Sequence, residues 1–526
     1  MSLSSAALAI GCVLTLFGWW LTRAVAGAGL RATAPLALFA IFLDGALPLA
    51  VFGFLYAATG RAVFAGALTL ALAAGFAFAD RRKREVLIEP IVISDVFLAF
   101  DIFRHPSLAL PFPDMARVMT GVGLVASAFG ALLVLEPAAW PWSPWPALSI
   151  AVAVLAAIWA LTRPLNAAAG RILRRLAPSG DPVRDGARFG ALATLAIYGI
   201  VARAERTRRR AATAPCAVAV PLLRHHAGCA PVVLVQCESF FDVRRIHPSV
   251  DRALLPNLDR CRRGGLQWGH LSVPCWGANT VRTEFAVLTG LPEAAIGLDK
   301  FNPYQGFARA PVSSIAWQMR SEGYHTICIH PFDRRFYGRD RVMRNLGFDE
   351  FMGEEVFNGA ERIGAYVADV EVARFTAQLL KEREPNVFVF VVTMENHGPW
   401  PNGHANGALN GADLWHQGLA LPEDERHALK GFMQGVRNAD AMLGVLTHAF
   451  AAGPPGGLLA MYGDHLPSFP KTFRSLGFCD GRSDYLLWRA GSGEGVRRDL
   501  AAQDLARTIL EARRAPATAI AAYGGS

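Results

Sequence analysis

Leu458-Leu459-Ala460-Met461-Tyr462-Gly463-Asp464-His465-Leu466-Pro467 passes from an unbroken apolar run into a carboxylate and an imidazole. A short apolar run closed by Gly and Pro predicts a strand buried on both faces that opens into a polar loop. A carboxylate and an imidazole at a strand's exit can both turn toward one metal ion above the sheet. Two ligands do not complete such a site, so an oxygen nucleophile and a further carboxylate have to be found elsewhere in the chain. With both, the pattern implies metal-dependent chemistry on phosphate or sulfate esters.

Similar runs at residues 232–236, 326–330, 387–393 and 485–488 alternate with helical patterns at 255–263, 283–288, 311–322, 370–382, 423–450 and 498–513. This alternation predicts an α/β domain with a mostly parallel central sheet covered by helices on both faces. Ligands of such sheets bind beyond the carboxyl ends of the strands. Polar residues stand at four of these ends: Glu238, His330, Glu395-Asn396-His397 and Asp464-His465. A single Glu after a strand is ordinarily a solvated loop residue or a helix cap. Several acids and imidazoles converging on one sheet edge describe a site.

The nucleophile candidate lies in Gly277-Ala278-Asn279-Thr280-Val281-Arg282-Thr283-Glu284-Phe285. Gly-Ala-Asn reads as a loop, with a helix predicted from Thr283. Thr280 then sits beside a helix N-terminus, where free N–H groups and the dipole favour an anion. A threonine hydroxyl needs activation to act as a nucleophile, and metal coordination supplies it. The simpler role for Thr280 is a helix N-cap, and Thr283 is the competing hydroxyl, nearer to a first-turn position.

The chain has 526 residues, 52% of them hydrophobic, with a mean hydropathy of +0.28. Apolar stretches at 6–25, 34–57, 63–79, 118–135 and 147–161 each approach the ~20 residues that a helix needs to cross a bilayer. They predict a transmembrane domain over residues 1–162 with about five helices. Asp44, in mid-span, is expected to face other helices. Residues 163–230 read as a basic juxtamembrane linker in which 189–202 is an amphipathic helix or a short sixth crossing. Residues 231–526 form the remaining domain. Five spans with the N-terminus inside, or six with it outside, both export everything after Ala211; five with the N-terminus outside do not.

The net charge of +9 gathers largely in Arg81-Arg82-Lys83-Arg84 and in residues 171–175 and 203–210. Such clusters suit anionic lipid headgroups. They lack the interleaved aromatics and recognition motifs of nucleic-acid binding, so no nucleic-acid partner is expected. The eight cysteines form no C-x-x-C pair, which argues against a zinc ribbon and leaves a Cys216–Cys229 disulfide open outside the cytoplasm.

Glu238-Ser239, Thr280 with Thr283-Glu284-Phe285, Asn396-His397-Gly398-Pro399 and Tyr462-Gly463-Asp464-His465 follow one another in that order. Together they resemble the lipoteichoic acid synthase and phosphoglycerol transferase branch of the alkaline phosphatase/sulfatase superfamily. The apolar half, with Glu89-Pro90 and Ser94-Asp95 before its fourth stretch, is similar to that branch as well. The resemblance implies a sulfatase-like (alkaline phosphatase-like) catalytic domain over 231–526. It implies one divalent metal ion, manganese in this branch, held by Glu238, Thr280, Asp464 and His465. Three oxygens and one imidazole also suit Mg²⁺ or Zn²⁺.

By the same resemblance Thr280 takes phosphoglycerol from phosphatidylglycerol and passes it to an envelope glycan or glycerolphosphate acceptor. His397 is then the proton donor or a substrate-orienting group. Phe336-Tyr337-Gly338-Arg339-Asp340 resembles the branch's Phe-Trp-Asn-Arg element, which implicates Arg339, Tyr337, His330 and Asp333 in substrate binding. Tyr337 stands in place of Trp, Gly338 in place of Asn, and Asp333 one position from the expected acid. The plain alternative for Arg339 is an ion pair with Asp340 or Glu350.

The implied setting is a multi-pass protein of the bacterial cytoplasmic (inner) membrane with its catalytic domain on the periplasmic or extracellular side. Phosphoethanolamine transfer and phosphodiester hydrolysis are the nearest rival activities. A formylglycine sulfatase is disfavoured because Cys275-Trp276-Gly277-Ala278-Asn279 lacks the Pro and Arg of that motif. A transporter or scaffold with an inactive outer domain is the non-enzymatic rival, but the spans carry few charges for a transport path.

Overall fold

A computed structural model describes residues 3–29, 35–95, 115–140, 173–214, 230–400 and 421–514, with Trp145, Ser149, Val152, Ala153 and Leu414 between them. Two compact units result: residues 1–100 with 111–207, and residues 101–110 with 208–526.

In the first unit, helices Leu3–Val25, Pro35–Thr59 and Ala62–Leu87 contain three segments long and apolar enough to cross a membrane. Met115–Leu135 forms the helix expected near 118–135, with a shorter apolar segment. Most of the stretch 147–161, and both Cys216 and Cys229, lie outside the described residues. The region around 189–202 belongs to a broken pair, Pro182–Phe189 and Ala191–Thr213, bent by 119°.

The break is held by charge. Arg23 donates from Nη1 to the Phe189 carbonyl (3.1 Å) and to Asp44 Oδ2 (3.0 Å). Asp44 also accepts from the Ala193 N–H (2.9 Å) and from Trp19 Nε1 (2.8 Å). A cation thus meets the carbonyl end of one helix and an anion meets the amide end of the next, each complementing the local dipole. Gly190 lies between the helices at φ +100°, and a Cβ there would come within 2.3 Å of Asp44 Oδ1. Asp44 does face other helices, fully buried and paired.

The second unit is built on one nine-stranded sheet and a small hairpin. The strands are β1 (Val232–Cys237), β2 (Gln267–Ser272), β3 (His325–Ile329), β4 (Glu350–Met352), β5 (Arg362–Ile363), β6 (Tyr366–Val367), β7 (Val387–Val392), β8 (Leu458–Gly463), β9 (Ser483–Trp488), β10 (Val496–Arg497) and β11 (Leu500–Ala501). The sheet order is β10-β2-β9-β8-β1-β7-β3-β4, with β11 also paired to β2, while β5 and β6 form the hairpin. The central run from β8 through β1, β7 and β3 to β4 is parallel, and β9 is antiparallel to both β8 and β2.

Alternate residues feed two cores. Val233, Val235, Val389, Val391, Leu459 and Met461 enter one, and Val232, Leu234, Phe388, Phe390, Leu458 and Ala460 the other. This is why the central strands read as continuous apolar runs. Strand β2 breaks that pattern: Gln267-Trp268-Gly269-His270-Leu271-Ser272 is only partly buried, and its sequence carries no apolar alternation. The helix expected over 498–513 begins at Leu505, because Leu500–Ala501 pairs with β2 first.

The buried ion pair at the membrane-unit break yields a prediction. Asp44→Ala strands the Arg23 guanidinium in an apolar bundle, which costs about 3–5 kcal/mol. The thermal transition of the first unit in detergent should fall accordingly, and Gly190→Ala should lower it too; an unchanged transition in both variants contradicts this packing.

Candidate active site

Strands β1 and β8 are adjacent and in register, Cys237 opposite Gly463, so the residues that follow them emerge side by side. Gly463 is required here: a Cβ would sit 1.7 Å from the Phe240 carbonyl oxygen. That close approach lets the chain after β1 fold across the end of β8, with Ser239 in the left-handed region at φ +53°. The Ser239 N–H donates to Asp464 Oδ1 (2.9 Å), and its hydroxyl donates to Glu238 Oε1 (2.8 Å).

Glu238, Asp464 and His465 are all buried, and one potential ligand atom from each lies within 4.8 Å of the others. His465 Nε2 is 3.3 Å from Asp464 Oδ2 and 3.7 Å from Glu238 Oε1. Its Nδ1 lies 3.0 Å from the Leu466 carbonyl. With a proton on Nδ1 donated to that carbonyl, Nε2 is left as the ligating nitrogen, the usual support of a metal-binding histidine.

Burial and the neighbouring Glu238 charge push the Asp464 carboxyl up to about 6. Burial works against the charged form of His465, but the two carboxylates outweigh it and hold the imidazole above its ordinary value. Asp464 Oδ2 is buried without a hydrogen-bond partner among the described residues. An orphaned carboxylate oxygen beside a second carboxylate and an imidazole fits a divalent cation, which favours ionised carboxylates and a neutral imidazole.

Thr280 is brought to this cluster from the other side. Asn279, at φ +65°, turns the chain so that the helix starts at Thr280 and runs to Thr289, three residues earlier than the sequence suggests. Half-buried, Thr280 Oγ1 lies 3.4 Å from His465 Nε2. Thr283 is differently employed: fully buried, it donates its hydroxyl to the Asp464 carbonyl (2.6 Å). The two threonines are thereby distinguished, one beside the imidazole and one bracing the backbone of a ligand.

Arg339 pairs with neither Asp340 nor Glu350. Its Nε and Nη2 donate to the two Glu284 oxygens (3.1 and 2.7 Å), and Nη1 faces His330 Nε2 at 3.4 Å. Glu284 also accepts from the Tyr304 hydroxyl (2.6 Å) and from Gln236 Nε2 (3.0 Å). Burial alone would raise the Glu284 carboxyl, but Arg339 and Tyr304 overcome it and keep the group below its usual range. Burial, reinforced by the Arg339 charge, drives His330 down to about 3, so it is a neutral imidazole at physiological pH. The Tyr337 ring lies 5.3 Å from the Arg339 guanidinium.

His397 is half-buried, with Nδ1 3.4 Å from the Tyr366 hydroxyl. Burial raises the Tyr366 hydroxyl, and the Glu238 charge adds to the effect. The Asp333 carboxylate accepts from Arg335 Nε and Nη2. Glu395 accepts from the Asp369 N–H and from Asn438 Nδ2.

Glu284 and Ser239 had no role assigned from sequence. The signal for Glu284 was available: an acid on a helix face otherwise made of Val281, Phe285 and Leu288 needs a buried cation.

Residues 231–513 match the family model described as sulfatase. The chain is 31% identical over 455 residues to the capsular polysaccharide biosynthesis protein RkpI of Rhizobium meliloti (strain 1021), covering 83% of this chain and 79% of that protein. A second protein of that strain, named for cyclic β-1,2-glucan modification, is 28% identical over 437 residues, covering 80% of this chain and 66% of its own length. The integral membrane lipooligosaccharide phosphoethanolamine transferase A of Neisseria meningitidis has a similar fold. Its TM-score is 0.52 at 12% identity, over 97% of this chain and 96% of that one.

Removing one member of the buried Glu284–Arg339 pair should cost about 3–5 kcal/mol. Glu284→Gln is therefore expected to lower the unfolding transition of the second unit, and adding Arg339→Met should recover much of the loss. A Glu284→Gln variant as stable as wild type, by denaturation followed at the tryptophans, would show that the pair is not a structural anchor.

Proposed function

The chain belongs to the sulfatase family, and we propose that it transfers phosphoglycerol from phosphatidylglycerol to a cell-envelope glycan through a phosphothreonine at Thr280. The observation that carries the reading is the Thr280 hydroxyl 3.4 Å from His465 Nε2, at the first turn of a helix and beside the Glu238–Asp464–His465 group. The ordered motifs from Glu238 to His465 support phosphoglycerol as the group transferred. The relatives named for capsular polysaccharide biosynthesis and glucan modification support a glycan as acceptor.

Bound by Glu238, Asp464, His465 and Thr280, a divalent ion (manganese by the same resemblance) would supply Lewis acidity that favours an ionised Thr280 oxygen and a neutralised phosphate. The chain's own residues do the rest. Thr280 Oγ forms a bond to phosphorus as the bond from phosphorus to the diacylglycerol oxygen breaks. The Thr280 proton passes to solvent as its oxygen ionises, and His397 delivers a proton to the leaving oxygen.

In the second displacement an acceptor hydroxyl forms its bond to phosphorus and yields a proton to His397. The Thr280 oxygen leaves and takes back a proton from solvent, so both residues end as they began. Arg339, pinned by Glu284 on one side of its fork, offers its Nη1 edge to the phosphate, with Tyr337 and His330 beside it. Thr283 stays out of the chemistry because its hydroxyl holds the Asp464 carbonyl. The reaction takes place at the outer face of the membrane, where the lipid donor and the glycan acceptor meet.

Thr280→Ala should reduce diacylglycerol release from labelled phosphatidylglycerol vesicles on the order of 10³-fold or more while the protein still inserts and folds. Release retained in that variant overturns the nucleophile. Release from phosphatidylethanolamine in place of phosphatidylglycerol would make phosphoethanolamine the group transferred.

A further inference from the structure

Beside the Arg339 loop runs an open cleft of about 870 Å³, lined on one side by Phe332, Asp333, Arg334 and Arg335, on another by Asp340, Arg341 and Arg344, and closed by Glu354, Glu355 and Arg362. Most of its charges cancel in pairs. Arg335 chelates Asp333 at 2.9 Å, Arg362 meets Glu354 at 2.5 Å, and Arg334 reaches Glu355 at 3.4 Å. Asp340, Arg341 and Arg344 remain, a net of one positive charge. Arg341, 85% exposed, has only a 3.8 Å contact to Asp340, and the exposed Arg344 side chain makes no ion pair among the described residues.

Phe332 links the cleft wall to aromatic residues of the site. Its ring lies 6.1 Å from the His330 ring and 6.3 Å from that of Tyr366, whose own ring is 5.7 Å from that of His397. A chain-like ligand with one hydroxyl near His397 would therefore extend over Phe332 into the cleft.

We propose that this cleft is the acceptor subsite and takes a glycan bearing anionic groups, which Arg341 and Arg344 hold. The inference rests on the transfer reading above and deepens it by naming the acceptor's chemistry. The mixed lining favours a glycan: carboxylates paired to arginines, with an aromatic wall, accept and donate hydrogen bonds to sugar hydroxyls, while the exposed Arg341 and Arg344 supply forked donors for carboxylate or phosphate groups. A bilayer-docking face would instead need a uniformly basic surface with apolar side chains to enter the interface.

The test uses the full-length protein in detergent micelles, with an oligogalacturonate and a neutral β-glucan oligosaccharide of equal length as probes. Calorimetry should show the acidic probe binding more tightly than the neutral one. The Arg341→Ala/Arg344→Ala double variant should weaken the acidic probe roughly tenfold or more and leave the neutral probe unchanged, with the thermal transition preserved. Arg341→Lys/Arg344→Lys should restore part of the binding.

Equal affinity for the two probes, or equal losses for both in the double variant, overturns the proposal. So does a double variant that keeps acidic-probe affinity but loses binding to phosphatidylglycerol vesicles, since that assigns the arginines to the membrane. Diacylglycerol release by the wild-type protein, read in the same preparation, reports the donor half-reaction separately, so a failed transfer reading is distinguishable from a failed subsite.

Discussion

Two carboxylates, Glu238 and Asp464, are buried together with His465 at the carboxyl ends of adjacent parallel strands. Like charges brought this close in a low-dielectric interior repel strongly, and a compensating positive charge relieves that repulsion. The surrounding structure is arranged around that constraint. Ser239 donates to both acids, Thr283 holds the Asp464 backbone, and the Leu466 carbonyl orients the imidazole. Gly463 admits the crossing segment that brings Glu238 alongside. What these contacts leave open is one orphaned oxygen of Asp464, facing an imidazole nitrogen and lying near a threonine hydroxyl. A divalent cation fits that arrangement of charge, and activation of a neighbouring hydroxyl is the chemistry it offers.

A second buried charge pair lies beside Gln236 of β1. Glu284 stands in the same helix as Thr280, one turn further on, and grips Arg339. One short helix therefore positions both a hydroxyl beside the metal-ligand group and the guanidinium proposed to meet the phosphate. Coupling the two through a rigid element restricts their relative motion, which is what an in-line displacement requires of its nucleophile and its phosphate clamp. The neutral His330 beside Arg339 adds no competing positive charge.

Much of the second unit was legible in the chain because its central strands are buried on both faces. Residues such as Val232–Cys237 and Leu458–Gly463 have no polar alternation, and that leaves few alternatives to a covered parallel strand. The residues at the strand ends were legible for the complementary reason: Glu238, Asp464 and His465 are polar groups adjoining uninterrupted apolar runs. Less visible were features that depend on partners distant in sequence. Arg339 was read against its neighbours Asp340 and Glu350, yet its partner Glu284 lies 55 residues away. Strand β2 is only partly buried and carries no clean period. The helix start at Thr280 depends on the left-handed turn at Asn279, which a reading by apolar spacing does not register. In the first unit, the isolated Asp44 signalled a partner, but nothing local pointed to Arg23 and a helix break near Gly190.

The central claim is that the Glu238–Asp464–His465 group exists to hold a divalent ion beside Thr280. Anomalous diffraction at the manganese edge, from crystals of the protein grown with Mn²⁺, tests it most directly. The account predicts a single strong peak bonded to an oxygen each of Glu238 and Asp464, to His465 Nε2 and to Thr280 Oγ1. A site that stays empty at saturating Mn²⁺, or a peak bound elsewhere with these side chains unaltered, would contradict it.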